Sequence, residues 1–255
     1  MRIASRAVRI RNWCRRAMSR HCARRLVNVE PVVPLISFTF DDFPRSALSG
    51  GGTILRQHGL RGTYYVALGL MDREIPAGRG FSAADLVQAA DEGHELGCHT
   101  FAHCHAWETS PKVFEESIIE NKRRLGELLP GYVFGTLSYP IFSPRPATKR
   151  RAAKYFSCCR GGDQTFNVGL TDANNLQACF LEKSRDNPDA LKRLIKENCR
   201  ARGWLIFATH DVSSTPSPFG CAPGFFADIV QYAVSSGSRI LPVGQAWEAR
   251  CGPDD

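Results

Sequence analysis

The sequence lacks any apolar run long enough to span a membrane or to form the core of a signal peptide. It also lacks a C-x-x-C pair, and its ten cysteines follow no regular spacing. This usage argues against a disulfide framework. We therefore expect a cytoplasmic protein whose cysteines are reduced and mostly buried.

Acidic residues are absent from the first 25 positions, which hold nine Arg. The remaining 24 Lys and Arg nearly balance the 25 Asp and Glu, so the rest of the chain offers no nucleic-acid-binding surface. The basic arm, residues 1–28, carries five apolar residues between its charges: Ile3, Val8, Ile10, Trp13 and Met18. This pattern is typical of a helix on an anionic membrane surface, at the inner membrane face for a cytoplasmic protein, and it is equally compatible with a disordered extension.

Residues 29–252 contain no repeat and no linker, so we predict one domain there. Strand-like runs alternate with helical ones, which favours parallel βαβ units. The strand-like runs are Leu35–Phe40, Gly62–Val66, Glu95–Cys98, Gly135–Tyr139, Tyr155–Cys159, Ala178–Leu181, Leu205–Thr209 and Arg239–Val243. Their number fits an α/β barrel of parallel strands ringed by helices, with an open doubly wound sheet as the second choice.

Several helices carry their own start and stop signals. Ser82 followed by Asp85 predicts a capped helix that ends at Gly93. Ser-Pro at 110–111 and Asn-Pro at 187–188 predict two further helix starts. Residues 45–58 give a weaker signal because three consecutive glycines, 50–52, disfavour a helix, so a loop between short helices is expected.

The apolar run Leu35–Phe40 ends on two adjacent carboxylates, Asp41 and Asp42. Parallel sheets present their ligand-handling groups at the carboxyl ends of their strands. Two neighbouring carboxylates repel each other unless a cation or a shared proton relieves them. The pair therefore suggests one metal ligand beside one proton acceptor.

Two histidines four residues apart, His99 and His103, follow the strand-like run Glu95–Cys98. On a helical turn this spacing places both imidazoles on one face, close enough to bind one metal ion. Together with one carboxylate from the preceding strand end, they would make a three-ligand site with an open position, as in catalytic zinc sites.

A third strand-like run, Leu205–Thr209, ends on His210 and Asp211. A histidine at such a place can act as a general acid or base when a nearby group fixes its tautomer. The sequence leaves open whether Asp211 is that group, because neighbouring residues of a strand point opposite ways.

The chain resembles the polysaccharide deacetylases with a NodB homology domain, carbohydrate esterase family four, over about residues 30–250. The resemblance lies in T-F-D-D at 39–42, H-T-x-x-H spacing ending at His103, and A-T-H-D at 208–211. It implies a deformed, seven-stranded (β/α) barrel that removes acetyl groups from sugars with one divalent metal ion, commonly zinc.

Carried over by position, the resemblance implies roles for individual residues. Asp41 resembles the catalytic base and His210 the general acid. The family's metal ligands correspond to Asp42, His99 and His103, and its backbone oxyanion donor to Ile141. Tyr139 and Pro140, in the third motif, are predicted to contact the substrate.

The chain departs from the family in that third motif, which reads Ser-Tyr-Pro-Ile at 138–141 and lacks the usual arginine. The fourth motif is not recognisable. Arg160, at the end of another strand-like run, either reaches Asp41 in place of the missing arginine or only solvates a loop. We predict a metal-dependent deacetylase of an N-acetylated oligosaccharide or lipid-linked sugar. The alternatives are a deformylase or another C–N hydrolase on the same scaffold, and a catalytically silent glycan-binding homologue.

Overall fold

A computed structural model describes residues 6–141 and 143–251. Ile3 and residue 252, the predicted end of the domain, lie outside these ranges. The helices are α1 (Arg6–His21), α2 (Thr53–Gln57), α3 (Ala83–Asp91), α4 (Pro111–Leu128), α5 (Pro146–Ala152), α6 (Pro188–Ala201), α7 (Pro223–Ser235) and α8 (Val243–Glu248). The strands are β1 (Leu26–Val29), β2 (Leu35–Phe40), β3 (Thr63–Val66), β4 (Glu74–Ile75), β5 (Gly78–Arg79), β6 (Glu95–Cys98), β7 (Thr136–Ser138), β8 (Cys158–Arg160), β9 (Gly169–Asp172), β10 (Cys179–Phe180), β11 (Trp204–Thr209) and β12 (Arg239–Ile240).

The central sheet is parallel throughout, with the order β10-β11-β2-β3-β6-β7-β8 and with β12 also paired to β2. Its edges curl towards each other because the backbone around Leu176 bonds to β8 and then runs into β10. The Leu176 N–H donates to the carbonyl of Cys159 at 2.8 Å, and the Gly161 N–H donates to the carbonyl of Leu176 at 2.9 Å. The predicted seven-stranded, deformed barrel is therefore confirmed as a curled parallel sheet.

Strand β2 is buried on both faces, as expected for the middle of such a sheet. Phe38 packs against Phe207 and against Phe226 of α7, with ring centroids 5.5 and 5.6 Å apart. On the opposite face, the indole of Trp204 donates to the Ser37 hydroxyl at 3.0 Å. Because side chains alternate along a strand, Asp41 continues the Ser37 face, which lines the inside of the curl.

The predicted helix starts are confirmed. Ser82 and Asp85 form a reciprocal capping box at α3, and Ser110 and Asn187 cap α4 and α6 with their side chains. Residues 47–52 form a π-helix that continues into α2, so the expected loop over the three glycines is wrong. A Cβ on Gly50 would lie 2.2 Å from the carbonyl oxygen of Val212, which shows that the missing side chain permits this close packing.

The predicted strand at 155–159 begins three residues too early. The backbone at Tyr155 still belongs to the turn after α5, since its N–H donates to the carbonyl of Ala152 at 3.0 Å. The observed strand β8 therefore starts at Cys158 and includes Arg160.

The basic arm is helical over Arg6–His21. It forms α1 and then β1, which pairs antiparallel with β9, so the predicted boundary between residues 28 and 29 falls inside β1.

No helix within the described ranges is long and apolar enough to cross a membrane. All ten cysteines are free, and five of them are buried: Cys98, Cys158, Cys159, Cys179 and Cys221.

Candidate active site

The predicted chemical residues meet at one edge of the curled sheet. Asp41 and Asp42 follow β2, His99 follows β6, Arg160 ends β8 and His210 follows β11. Since these strands are parallel, their carboxyl ends form one rim. The sequence therefore placed these residues on the correct edge without knowledge of the strand order.

The two adjacent carboxylates share the rim because the chain bends between them. The Asp41 N–H donates to the carbonyl of Thr209 at 2.9 Å, so Asp41 still follows the register of the sheet. Asp42 and Phe43 then adopt left-handed φ angles of 61° and 48°, a region that non-glycine residues seldom occupy. This bend brings Asp42 to the site although it follows Asp41 directly.

Asp42, His99 and His103 form a compact set of ligand atoms. The Asp42 Oδ1 lies 3.4 Å from Nε2 of His99 and 3.0 Å from Nε2 of His103. All three ligand atoms lie within 4.8 Å of one another. Burial raises the pKa of Asp42, but the adjacent imidazoles of His103 and His99 hold it well below its ordinary value.

The surroundings of His99 suit a metal ligand. Its Nδ1 lies 2.8 Å from the carbonyl oxygen of Ser138 and is therefore the protonated nitrogen, which leaves the Nε2 lone pair directed towards Asp42. One carboxylate and two imidazoles match the donor set of a catalytic divalent metal site with an open position. The residues present therefore fit the metal ion that the sequence predicts.

His103 reaches this set from an irregular loop, and the predicted helical turn is wrong. Thr100 and His103 have left-handed φ angles of 59° and 49°. The Ser117 hydroxyl of α4 accepts from the N–H groups of Phe101 and Ala102, both at 3.0 Å, and so attaches the loop to α4. The imidazole centroids of His99 and His103 nevertheless lie only 5.1 Å apart.

Arg160 reaches Asp41, which was one of the two alternatives for this residue. Its Nη2 donates to Asp41 Oδ1 and, at 2.5 Å, to the Ser138 hydroxyl. Its guanidinium also lies over the ring of Tyr65, 5.0 Å from the centroid. Burial alone raises the pKa of Asp41, but the Arg160 guanidinium and the imidazoles of His99 and His210 lower it below its ordinary value.

His210, which follows β11, lies near the carboxylate of Asp42. Its Nε2 is 3.9 Å from Asp42 Oδ2, and its Nδ1 faces the carbonyl oxygen of Phe219 at 3.3 Å. Asp211 does not orient this imidazole. Its carboxylate accepts from the backbone N–H and the hydroxyl of Ser217 and so holds the loop that follows β11.

The third motif contributes backbone rather than side chains. Tyr139 is 7% exposed and packs against Phe114, because it points away from the site when Ser138 points towards it. Pro140 is also buried. Both side chains are buried, and the contact of these two residues with substrate stays a prediction.

Ile141 has a left-handed φ of 67°, a rare conformation for a β-branched residue. Its N–H has no hydrogen-bond acceptor within residues 6–141 and 143–251. Such strain commonly accompanies functional loops. The backbone of Ile141 is thus free to donate to a ligand.

Two residues of the rim, Ser138 and Glu182, were assigned no role from the sequence. The Ser138 hydroxyl accepts from Arg160, and its carbonyl accepts from Nδ1 of His99, so Ser138 connects these two rim residues. Glu182 lies two residues beyond the short strand β10, and burial raises its pKa to about 7. The signal for Glu182 was its position just beyond a strand end, the same signal that identified His210.

Comparisons with known proteins support this interpretation. The family model described as polysaccharide deacetylase matches residues 29–156, half of the chain. The chitin deacetylase of Colletotrichum lindemuthianum is 17% identical, with a TM-score of 0.60 over 86% of this chain and 89% of that chain. A family 4 acetyl xylan esterase of Clostridium thermocellum, solved with cobalt, is 19% identical, with a TM-score of 0.59 over 84% and 90%.

A pseudoenzyme of the same family from Bacillus anthracis is also similar, with 12% identity and a TM-score of 0.58 over 85% of this chain and 66% of that chain. None of the curated proteins that were compared matches the chain. At these identities the structural likeness establishes the fold, and the family model establishes kinship. The chain belongs to the polysaccharide deacetylase family.

Proposed function

We propose that the protein is a metal-dependent hydrolase that removes N-acetyl groups from an amino-sugar glycan in the cytoplasm. The observation that carries the proposal is the Asp42, His99 and His103 set beside a buried Asp41 that contacts Arg160. Zinc is the proposed ion because imidazole and carboxylate ligands with an open position suit it. When bound, the ion would supply Lewis acidity at the acetyl carbonyl.

The protein's own residues have distinct tasks in this reaction. Asp41 accepts a proton from water as the water attacks the carbonyl, and Arg160 keeps that carboxylate ionised and oriented. The Ile141 N–H donates to the oxygen on which negative charge develops. His210 protonates the leaving nitrogen, so that water and amide become acetate and a free amine.

The finer substrate proposal is an oligosaccharide or a lipid-linked sugar at the inner membrane face. The relatives named above act on chitin or acetylated xylan by their names, which supports an acetylated glycan. The basic helix α1 supports the lipid-linked form, since such a substrate is presented at a membrane surface.

The decisive experiment measures acetate release from N-acetylglucosamine oligomers and from lipid-linked N-acetylated sugars, with and without a chelator. We expect release that chelation abolishes and that added zinc restores. Release of formate from N-formyl sugars in place of acetate would identify a deformylase. No release from any substrate by the zinc-loaded protein would favour the silent homologue.

A further inference from the structure

Helix α1 presents an apolar stripe to solvent. Ile10 is 54% exposed, Trp13 70% and Met18 48%. Cys14 and Ala17 complete the stripe, because positions 10, 13, 14, 17 and 18 share one face of a helix. A large exposed tryptophan beside two other apolar side chains marks a surface that contacts another phase or molecule.

Arginines border this stripe on both sides. At 100° per residue, Arg9 and Arg20 lie along one border and Arg11 along the other, and the helix contains no acidic residue. An apolar stripe between cationic borders is the pattern of a helix that lies in the plane of an anionic bilayer.

The opposite face of α1 is fixed to the body. The ammonium of Lys149 is fully buried and donates to the carbonyls of Ser19 and Cys22 at 2.7 and 2.9 Å. The same ammonium forms an ion pair with Asp172 at 2.5 Å. These contacts prevent α1 from rotating about its own axis, so its apolar stripe keeps one orientation relative to the rest of the domain.

Two further contacts fix α1 to loops that leave the catalytic rim. Arg15 pairs with Glu108 at 2.7 Å, five residues beyond the proposed ligand His103. Arg20 pairs with Asp163 at 2.5 Å, three residues beyond Arg160. The helix is thus attached to the segment that carries His99 and His103 and to the segment that carries Arg160, the residue that contacts the proposed base.

We propose that α1 is a membrane-docking helix that inserts Ile10, Trp13 and Met18 into the headgroup region of an anionic bilayer and holds the catalytic rim at that surface. Tryptophan suits this depth because its ring is apolar and its N–H is polar. The substrate class then becomes an N-acetylated sugar carried on a lipid, a part of the proposal that rests on the proposed function.

A second copy of the chain is a poorer occupant of the same face. In a two-fold symmetric contact the arginines of two α1 helices would oppose each other, and α1 itself contains no acidic residue that could pair with them. Anionic lipid headgroups carry the charge opposite to that of these arginines. A bilayer surface can also accept the apolar stripe although the protein forms no groove around it.

The test uses sedimentation with vesicles of phosphatidylcholine alone or mixed with phosphatidylglycerol. We expect binding only to the anionic vesicles, weakened by salt because the arginine charges are screened. The double variant Trp13→Ala, Met18→Ala should bind at least about tenfold more weakly, since two exposed apolar side chains lose their burial in lipid. Val133→Ser, which removes an exposed apolar residue elsewhere, should bind like the wild type.

Hydrolysis separates the two proposals. The double variant should retain wild-type activity on a soluble oligosaccharide and lose activity on a lipid-linked sugar in anionic vesicles. Equal vesicle binding by the double variant, or a wild-type dimer that the double variant dissociates, would overturn membrane docking. Vesicle binding that depends on Trp13 and Met18, in a protein without any hydrolytic activity, would support docking and refute the proposed function.

Discussion

Asp41 and Asp42 are adjacent in sequence but have different partners at the rim. Asp41 contacts Arg160, whereas Asp42 contacts His99 and His103. Asp41→Asn should therefore keep stoichiometric zinc and lose roughly 100- to 10,000-fold in kcat. Asp42→Asn should lose bound zinc as well, because it removes a ligand charge. Metal analysis of the purified variants, beside acetate release, distinguishes them, and equal zinc contents would contradict the assignment.

Arg160 is predicted to act through Asp41 and not through the metal. Arg160→Met should lower kcat roughly 10- to 100-fold with the zinc content unchanged, and Arg160→Lys should recover part of the rate because it restores a charge without the paired N–H donors. Arg56→Met removes an arginine from an exposed ion pair with Glu92 and serves as the control. We expect it to have wild-type kcat, since exposed pairs contribute little. A wild-type rate for Arg160→Met would mean that another group tunes Asp41.

At the scale of the residue, the sequence predicted which residues lie at the rim better than it predicted where their side chains point. Strand ends followed by Asp, His and Arg identified most residues of the rim, because parallel strands bring their carboxyl ends together. The substrate role of Tyr139 was inferred from its motif, and alternation along β7 turns that side chain into the core. Asp42 and His103 reach the site because the backbone there adopts left-handed φ angles. Neither position is a glycine, so the sequence contains no signal for these angles.

Among the elements, α4 supports the proposed metal site through the Ser117 hydroxyl. Ser117→Ala removes the acceptor for two backbone N–H groups of the loop that carries His103. We expect zinc affinity to fall roughly 10- to 100-fold, as for other residues that position metal ligands. A competitive chelator titration measures this change.

The matched control for Ser117 lies at the start of the same helix. Ser110 caps α4 through the N–H of Val113 at 3.3 Å and does not contact the loop. Ser110→Ala should lower the free energy of unfolding by about 1 kcal/mol and leave zinc affinity unchanged. If both variants weakened zinc binding equally, the effect would belong to helix stability rather than to the loop.

The π-helix gives a second prediction for an element. Gly50→Ala would bring a Cβ within 2.2 Å of the Val212 carbonyl oxygen and should destabilise the fold by roughly 1–3 kcal/mol. Gly126→Ala in α4 meets nothing within 4 Å and should stabilise the fold by up to about 1 kcal/mol. Urea unfolding measures both, and stabilisation by Gly50→Ala would refute the close contact.

Most elements could be predicted because their signals are local. Side-chain caps at Ser82, Ser110 and Asn187 define helix starts without reference to the rest of the chain. The π-helix could not be predicted, since its glycines are explained by tertiary neighbours: Val212 for Gly50, Phe40 for Gly51 and Tyr64 for Gly52. The start of β8 was misplaced because the aromatic residues that precede it resemble a strand.

At the scale of the whole molecule, His94 links stability to pH. Its Nδ1 accepts from the Gly62 N–H at 3.0 Å, and burial lowers its pKa to about 4 from an ordinary 6.5. The unfolded chain therefore binds a proton at this residue before the folded chain does. Stability is fully present above pH 6.5 and is lost as the pH falls towards 4.

The pKa difference gives a loss of about 1.4 kcal/mol in the free energy of unfolding between pH 7.5 and 5.5 from His94 alone. Urea unfolding of His94→Asn should show that much less dependence on pH, because asparagine can still accept from Gly62 without titrating. Parallel slopes for wild type and His94→Asn would remove His94 from this account.

The attachment of α1 to Lys149 and Asp172 has a consequence for the order of events during synthesis. The helix leaves the ribosome before its anchor, which lies 130 residues beyond Ser19. At roughly 5–20 residues per second, about 7–26 s pass before Lys149 has been added to the chain. During that time both faces of the nascent helix are without their partners, so the arm can meet a lipid surface before the catalytic body exists.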